Sequence, residues 1–391
     1  MKKMTLEEWE KKYIGAPIEC FDQKNRVNMR AEWDPKWGPA LGPQNTDIEV
    51  QDRPGYRRRD WALYNAARSA GRFAGSRTQP ETFEGAAEAC RVSVKFPDTE
   101  RIDVDDIEKV TLDLKKVAVY FGADRVGVCR LDRRWIYSHS YKRLELKGRS
   151  YPDAVVGESR PLEIPDEFQF AVVMVVHQDY NLLKYSPTMI SASSNYIAYT
   201  RLANANNLLS AFVQNLGYQA VALPTHQIAR HIPIAMQAGL GDIGRNGLLV
   251  TPEFGPRVKI VTMLTDLPLA VDSPIDLGLT EFCEKCGRCA RVCPAQALPS
   301  GGRTAEPNNA SNSAGELKWR VNAERCAKYW IGGHRGCNTC VACCPFNKVP
   351  GSKRYNRLLE ADSFWDEWKP VPYGVSTVAT ALPRRLQTGK R

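Results

Sequence analysis

The chain has no apolar run approaching the ~20 residues that span a bilayer, so nothing in it reads as a membrane helix. Its first residues, Met1-Lys2-Lys3-Met4-Thr5-Leu6-Glu7-Glu8, lack the apolar stretch of a secretory leader. Arg57-Arg58-Arg59 look like a twin-arginine signal only superficially. They stand too far in, and Asp60-Trp61-Ala62-Leu63-Tyr64-Asn65 is no leader core. Histidine is scarce, five in all, and His139, His177 and His334 stand in no persuasive context. Long tracts of one charge are missing as well. The net charge of +10 is spread over short runs such as Arg133-Arg134 and Arg384-Arg385, which read as solvated faces. No nucleic-acid motif is present, so no nucleic-acid partner is expected. The positive excess, smaller if eight cysteines are thiolates, favours anions or an acidic surface.

What is present is ample core material. With 391 residues, 43% hydrophobic and 25% charged, the chain can build one large globular domain or two to three small ones. Residues 1–104 have few long apolar runs and many Trp, Pro and Arg. They read as a partly irregular N-terminal wrap with a turn-rich loop at Asp34–Pro43 and a helix at Trp61–Phe73. Residues 105–275 alternate helix and strand patterns. An amphipathic helix is expected over Asp105–Val119, carrying Ile107, Val110, Leu112 and Leu114. A second is expected over Tyr196–Leu216, closed by Gly217. Strands are expected at Arg125–Leu131, Phe170–Val176, Tyr218–Leu223 and Val258–Leu264. This is an α/β or α+β layer sandwich. Residues 276–350 hold the cysteine blocks, split by a polar loop at Leu298–Leu317. Residues 351–391 form a tail whose Trp365, Trp368 and Tyr373 suggest docking on the core.

Nine of the twelve cysteines fall between Cys283 and Cys344, and eight of them make two blocks. Cys283, Cys286, Cys289 and Cys293-Pro294 give C-x2-C-x2-C-x3-C-P, the bacterial ferredoxin run in which the fourth cysteine ligates the other cluster. Cys337, Cys340 and Cys344-Pro345 repeat C-x2-C-x3-C-P, with the leading cysteine moved back to Cys326. The crossed rule assigns Cys283, Cys286, Cys289 and Cys344 to one [4Fe–4S] cluster, and Cys326, Cys337, Cys340 and Cys293 to a second. Zinc could use eight cysteines but does not account for the doubled C-x3-C-P, and disulfides suit a secreted scaffold better. Cys343 competes with Cys344, yet only Cys344 keeps the spacing and the following proline. Cys20, Cys90 and Cys129 are isolated and read as buried small hydrophobes.

A glycine-rich segment precedes the blocks, with Gly239, Gly241, Gly244 and Gly247 beside Arg245 and Asn246. Such glycines let a backbone lie close to a large ligand, or simply make a turn and a helix cap. The order of this segment, Thr265-Asp266-Leu267-Pro268-Leu269, the first cysteine block, and then Cys326 followed by Tyr329-Trp330 resembles the reductive dehalogenases. The resemblance covers roughly residues 105–350. Its most specific stretches are Pro233–Leu240 with Gly241, and Phe254-Gly255-Pro256-Arg257.

The resemblance implies a nitroreductase-like corrinoid-binding sandwich joined to a ferredoxin-like module with two [4Fe–4S] clusters. It implies a base-off cobalamin, and the chain indeed has no Asp-x-His-x-x-Gly, the motif by which other corrinoid proteins offer histidine to cobalt. Gly241, Arg245, Asn246 and Gly247 would then be cofactor-binding. The family's proton-donating tyrosine corresponds to Tyr199, eighteen residues before Gly217, with Tyr196 as fallback. Its accompanying cation corresponds to Lys259, two residues after Arg257, and would stabilise the tyrosinate left by proton transfer. His226 and Trp330 are candidates for the substrate pocket, although asparagine is the residue the family suggests near His226.

The implied reaction cleaves a carbon–halogen bond of an organohalide at a cob(I)alamin centre. The implied partners are a halogenated small molecule and a low-potential electron donor such as ferredoxin, flavodoxin or a membrane electron chain. A small membrane anchor protein is a further possible partner. Without a leader a cytoplasmic location is expected, the alternative being a mature exported form at the outer face of the membrane. Two rival readings remain. One is an epoxyqueuosine reductase-like cobalamin enzyme acting on tRNA, which a tRNA assay would separate. The other is a non-enzymatic ferredoxin-like electron-transfer subunit, which corrinoid content would separate.

Overall fold

The structure, a computed structural model, describes residues 1–34, 50–73, 82–91, 101–145, 155–225, 227–332 and 336–347. His226, His334, most of the Asp34–Pro43 loop and the aromatic tail lie outside the described residues.

The centre is an antiparallel sheet of four strands. They are β1 (Arg125–Arg130), β2 (Phe170–His177), β3 (Ala220–Ala222) and β4 (Val258–Thr265), in the order β1-β2-β4-β3. Strand β2 is paired along its whole length with β4, and from Phe170 to Val175 with β1. Arg130 stands opposite Phe170 on one edge, and Lys259 opposite Val176 on the other. Its unbroken apolar run follows from burial on both faces. Ala171, Val173 and Val175 point into one core, while Val172, Met174 and Val176 point into another. The second core is closed by two helices, α1 (Ile107–Tyr120) and α2 (Met189–Asn215), through Leu114, Ala118, Leu202 and Leu209. The first is closed by α3 (His231–Gln237) together with Trp135, Trp9 and Tyr13. The molecule is therefore a helix–sheet–helix sandwich of the expected mixed class.

Three expectations need correction. On α1 the buried stripe runs Thr111, Leu114 and Ala118, so Ile107 and Leu112 are exposed. Helix α2 starts at Met189, two turns before Tyr196. The added turns read as polar because they hold Ser191, Ser193 and Ser194. These are buried, and the hydroxyls of Ser193 and Ser194 donate to the carbonyls of Met189 and Ser191 at 2.9 and 2.7 Å. Such back-bonding hides a hydroxyl inside a helix. Gly217 closes the helix with φ +87°, as its position suggested. Cys20 is exposed rather than buried, whereas Cys90 and Cys129 are buried.

The N-terminal residues carry more regular structure than a loose wrap. Helices cover Leu6–Tyr13, Val27–Trp33, Arg58–Phe73 and Phe83–Ala89. The first begins with a complete capping box between Thr5 and Glu8. Lys2–Lys3 pair antiparallel with Ile275–Asp276, and Lys12 bonds Asp276 at 2.7 Å. Among the described residues, no helix is long and apolar enough to cross a membrane.

Candidate cluster and cavity site

The cysteine blocks are shaped by short helices between left-handed glycines. Helix Leu279–Cys286 runs from Gly278 (φ +68°) to Gly287 (φ +52°) and presents Cys283 and Cys286 one turn apart. Gly287 then turns the chain so that Cys289 follows on Arg288–Arg291. Cys326 sits on helix Ala323–Ile331, capped by the Asn322 side chain accepting from the Arg325 N–H. Asn338 anchors the last block to the start of α2. Its N–H donates to Ser186 Oγ at 2.8 Å and its Nδ2 to Ser191 Oγ at 3.0 Å.

Two hollows result. The first is lined by Cys283, Cys286, Cys289 and Cys344, with Phe282 and Phe346 edge-to-face at 4.9 Å beside them. The second is part of a much larger cavity of about 630 Å³, and its cysteines are Cys293, Cys326, Cys337 and Cys340. Each set draws on both sequence blocks, the grouping that crossed ligation requires. Cys343 borders neither hollow; it is buried, with Sγ 3.6 Å from the Cys340 carbonyl. Among the described residues, no three His, Cys, Asp or Glu converge closely enough for a single metal ion. Sulfurs ringing a hollow suit a cluster better than a lone cation. Burial pushes the thiols of Cys326 and Cys344 up to about 12 and Cys289 to about 11. Deprotonating sulfurs so placed needs a compensating cation, which cluster iron would supply.

The larger cavity also takes in Tyr199 and Lys259. Along β4, Lys259 shares a face with Val261 and Met263, the face covered by α2. Tyr199 sits on α2, and Lys259 Nζ lies 5.1 Å from its ring centroid. Tyr196 points elsewhere: its hydroxyl is 3.4 Å from that of Tyr64 on helix Arg58–Phe73, and the two rings meet edge-to-face. Trp330, Asn246 and Gly247 border the cavity too. Gly247 has φ +72°, and a Cβ there would stand 2.8 Å from Val321 Cγ2.

Two of the expected cofactor residues are placed apart from this cavity. Arg245 lines the first hollow, with Nε donating to the Cys283 carbonyl at 3.0 Å, Nη1 to Pro299 and Gly301 at 2.8 Å, and its guanidinium over the Trp319 ring. Gly241 packs on the chain itself. A Cβ there would meet the Val250 carbonyl at 2.4 Å, so its lack of a side chain lets Asp242–Ile243 pair with Leu249–Val250.

Sequence reasoning missed several cavity residues. His231 borders it with both ring nitrogens engaged. Nε2 is 3.0 Å from the Pro224 carbonyl and Nδ1 is 2.8 Å from Thr262 Oγ1. A carbonyl only accepts, so Nε2 carries the proton and Nδ1 accepts from threonine. Burial pushes this imidazole down to about 4, so it is neutral. Arg230, Glu316 and Lys318 form another wall. Arg230 is far in sequence from Glu316 and Lys318, and these segments carry no motif, so no local signal marks them.

Residues 282–347 match the 4Fe-4S double cluster binding domain family. The chain is 33% identical over 260 residues to the tetrachloroethene reductive dehalogenase of Sulfurospirillum multivorans, covering 63% of this chain and 52% of that protein. It is 33% identical over 298 residues to the tetrachloroethene reductive dehalogenase of Desulfitobacterium hafniense, covering 67% and 54%. The chain thus spans about half the length of the curated relatives it matches. A solved reductive dehalogenase structure, described as suggesting a mechanism for B12-dependent dehalogenation, superposes with a TM-score of 0.64 at 26% identity. It covers 89% of this chain and 44% of that one.

Proposed function

This chain belongs to the reductive dehalogenases, and we propose that it replaces a halogen on a small organic molecule by hydrogen, using two [4Fe–4S] clusters and a base-off cobalamin. Two electrons and one proton enter, the carbon–halogen bond breaks, a carbon–hydrogen bond forms and halide leaves. The observation that carries this reading is that Tyr199, Lys259 and the four cysteines of the second hollow border one cavity. A proton source and an electron source meet there.

The cavity residues fit a corrinoid. His231 has no free nitrogen to offer cobalt, which suits a cofactor held without a protein imidazole. Gly247 leaves its wall without a Cβ, and an N–H of Arg230 stands buried without a partner. Asn246 and Gly247 would hold the group. When bound, a corrinoid supplies the reducing cobalt that breaks the carbon–halogen bond. The Tyr199 hydroxyl gives its proton to the carbon. Lys259, over the tyrosine ring, holds the negative charge left behind. Trp330 walls the substrate space and limits water.

Electrons from a low-potential donor, a ferredoxin, a flavodoxin or a membrane chain, enter at the first hollow and pass to the second. A cytoplasmic location, and association with a small membrane anchor if the protein is exported, are parts of the same proposal.

The test is cobalt and iron content of anaerobically reconstituted protein, with a visible spectrum. About one cobalt and about eight iron per chain are expected, followed by halide release from organohalides. A full iron complement with no cobalt uptake would remove the dehalogenase reading and leave an electron-transfer protein.

A further inference from the structure

One wall of the cavity has no task in the chemistry above. Arg230 Nη2 and Lys318 Nζ both donate to the same oxygen, Glu316 Oε2, the lysine at 2.8 Å. Ser313 Oγ donates to that oxygen too, at 3.0 Å. Two basic side chains thus share one carboxylate, and burial, with Arg230 and Arg320 close by, pushes the Lys318 ammonium's pKa well down, so the group is short of negative charge. Arg320 stands behind them, and its guanidinium is spent on main-chain carbonyls of Thr304, Ala305, Ser313 and Glu316, so it adds charge without neutralising any. Arg26 borders the same cavity, with Nη1 on Gln227 Oε1 at 3.0 Å.

The second observation is on Arg230 itself. Its side chain is 11% exposed, its guanidinium lies over the Trp135 ring, and its Nη1 is buried with no hydrogen-bond partner. Burial lowers this guanidinium to about 10, the mark of a cation short of counter-charge. A buried N–H without an acceptor is costly. An arginine and a lysine side by side on one cavity wall, sharing a single carboxylate, make a site for an oxyanion.

We propose that Arg230 and Lys318, with Arg26 at the margin, bind the phosphodiester of the nucleotide tail that a complete corrinoid carries. This rests on the corrinoid reading above. A phosphodiester brings one permanent negative charge to a group in which two basic side chains share a single carboxylate. The wall is also built from segments other than α2 and β4, which carry Tyr199 and Lys259. A carboxylate on the substrate is the other source of an oxyanion, and the experiment separates the two.

Cluster-loaded protein without corrinoid is titrated with cobalamin, with cobinamide phosphate and with cobinamide, which lacks the phosphate and everything beyond it. Retained cobalt and the visible spectrum are read. Cobinamide phosphate should bind nearly as well as cobalamin, and cobinamide about ten- to a hundredfold more weakly, as for loss of charge-assisted hydrogen bonds. Lys318→Gln should weaken cobalamin about tenfold and leave cobinamide unchanged. Equal binding of all three ligands by the unaltered protein overturns the proposal without any variant, and leaves the corrinoid reading intact. So does a Lys318→Gln variant with unchanged cobalamin affinity but a raised substrate KM, which would assign the wall to a substrate carboxylate. Failure to bind any of the three corrinoids overturns the functional reading itself.

Discussion

Lys259 and Tyr199 meet as cation and ring face, with Nζ 5.1 Å from the ring centroid. They come from different elements, β4 and α2, joined across the core on one face of the sheet. A cation so placed is attracted to the neutral ring and more strongly to the phenolate. Tyr199→Phe should keep cobalt and iron content and lose about 10²- to 10⁴-fold in halide release, the range of a lost general acid. Lys259→Met should lose less, because the proton donor remains. Full activity in Tyr199→Phe would remove the tyrosine from the role. Tyr196→Phe is the control, since that hydroxyl faces Tyr64, and it should retain near-normal turnover.

The grouping of cysteines makes a sharper test of iron. Cys286→Ser and Cys326→Ser should each lose about four of about eight irons, from different clusters. Cys343→Ser, at a buried thiol that borders neither hollow, should keep the full count. An iron loss in Cys343→Ser, with none in Cys344→Ser, would reverse the assignment at this pair.

A pH dependence of stability follows from Tyr13 and Asp242. The Tyr13 hydroxyl donates to Asp242 Oδ1 at 2.6 Å inside the protein, and the Ile243 N–H donates to the same oxygen. Burial raises the Asp242 carboxyl above the usual range, and the tyrosine bond partly offsets this. Tyr13→Phe removes that offset, so the carboxyl rises further. The folded state then holds more protons than the unfolded state, and stability falls as pH climbs past the ordinary carboxylate range. The loss, about 1–3 kcal/mol overall, should be smaller at pH 5 than at pH 8. Melting temperatures at the two pH values check this. An equal loss at both would show that Asp242 is not the group affected.

Gly247→Ala puts a side chain into a left-handed conformation, which costs about 1–2 kcal/mol, and into contact with Val321. The melting temperature should fall, and corrinoid affinity with it, because Gly247 borders the cavity. Gly302→Ala is the comparison: nothing lies within 4 Å of its added carbon, and no change is expected.

The layered α+β class and every strand of the central sheet were legible in the sequence, because β2 and β4 are largely apolar, β-branched runs of strand length. The cysteine sets were legible because ligand spacing is local. Tyr199 and Lys259 came through resemblance, since their meeting depends on how α2 lies over β4. Residues such as Arg230, Glu316 and Lys318 were not legible: a polar side chain aimed into a cavity has the same local pattern as one aimed at water. Arg245 misled for a related reason. It sits in a glycine-rich run that suggested a cofactor, yet its Nε and Nη1 donate to the carbonyls of Cys283, Pro299 and Gly301 beside the first hollow.

The mixing of the two cysteine blocks around both hollows also bears on how the protein matures. On a growing polypeptide, Cys283, Cys286 and Cys289 emerge well before Cys344, and Cys293 well before Cys340. Neither sulfur ring is complete until the second block has left the ribosome. Iron delivered early would find three sulfurs and an open corner in one ring, and a single sulfur in the other. Filling either ring therefore waits for the second block, and a truncation before Cys337 deprives both centres at once.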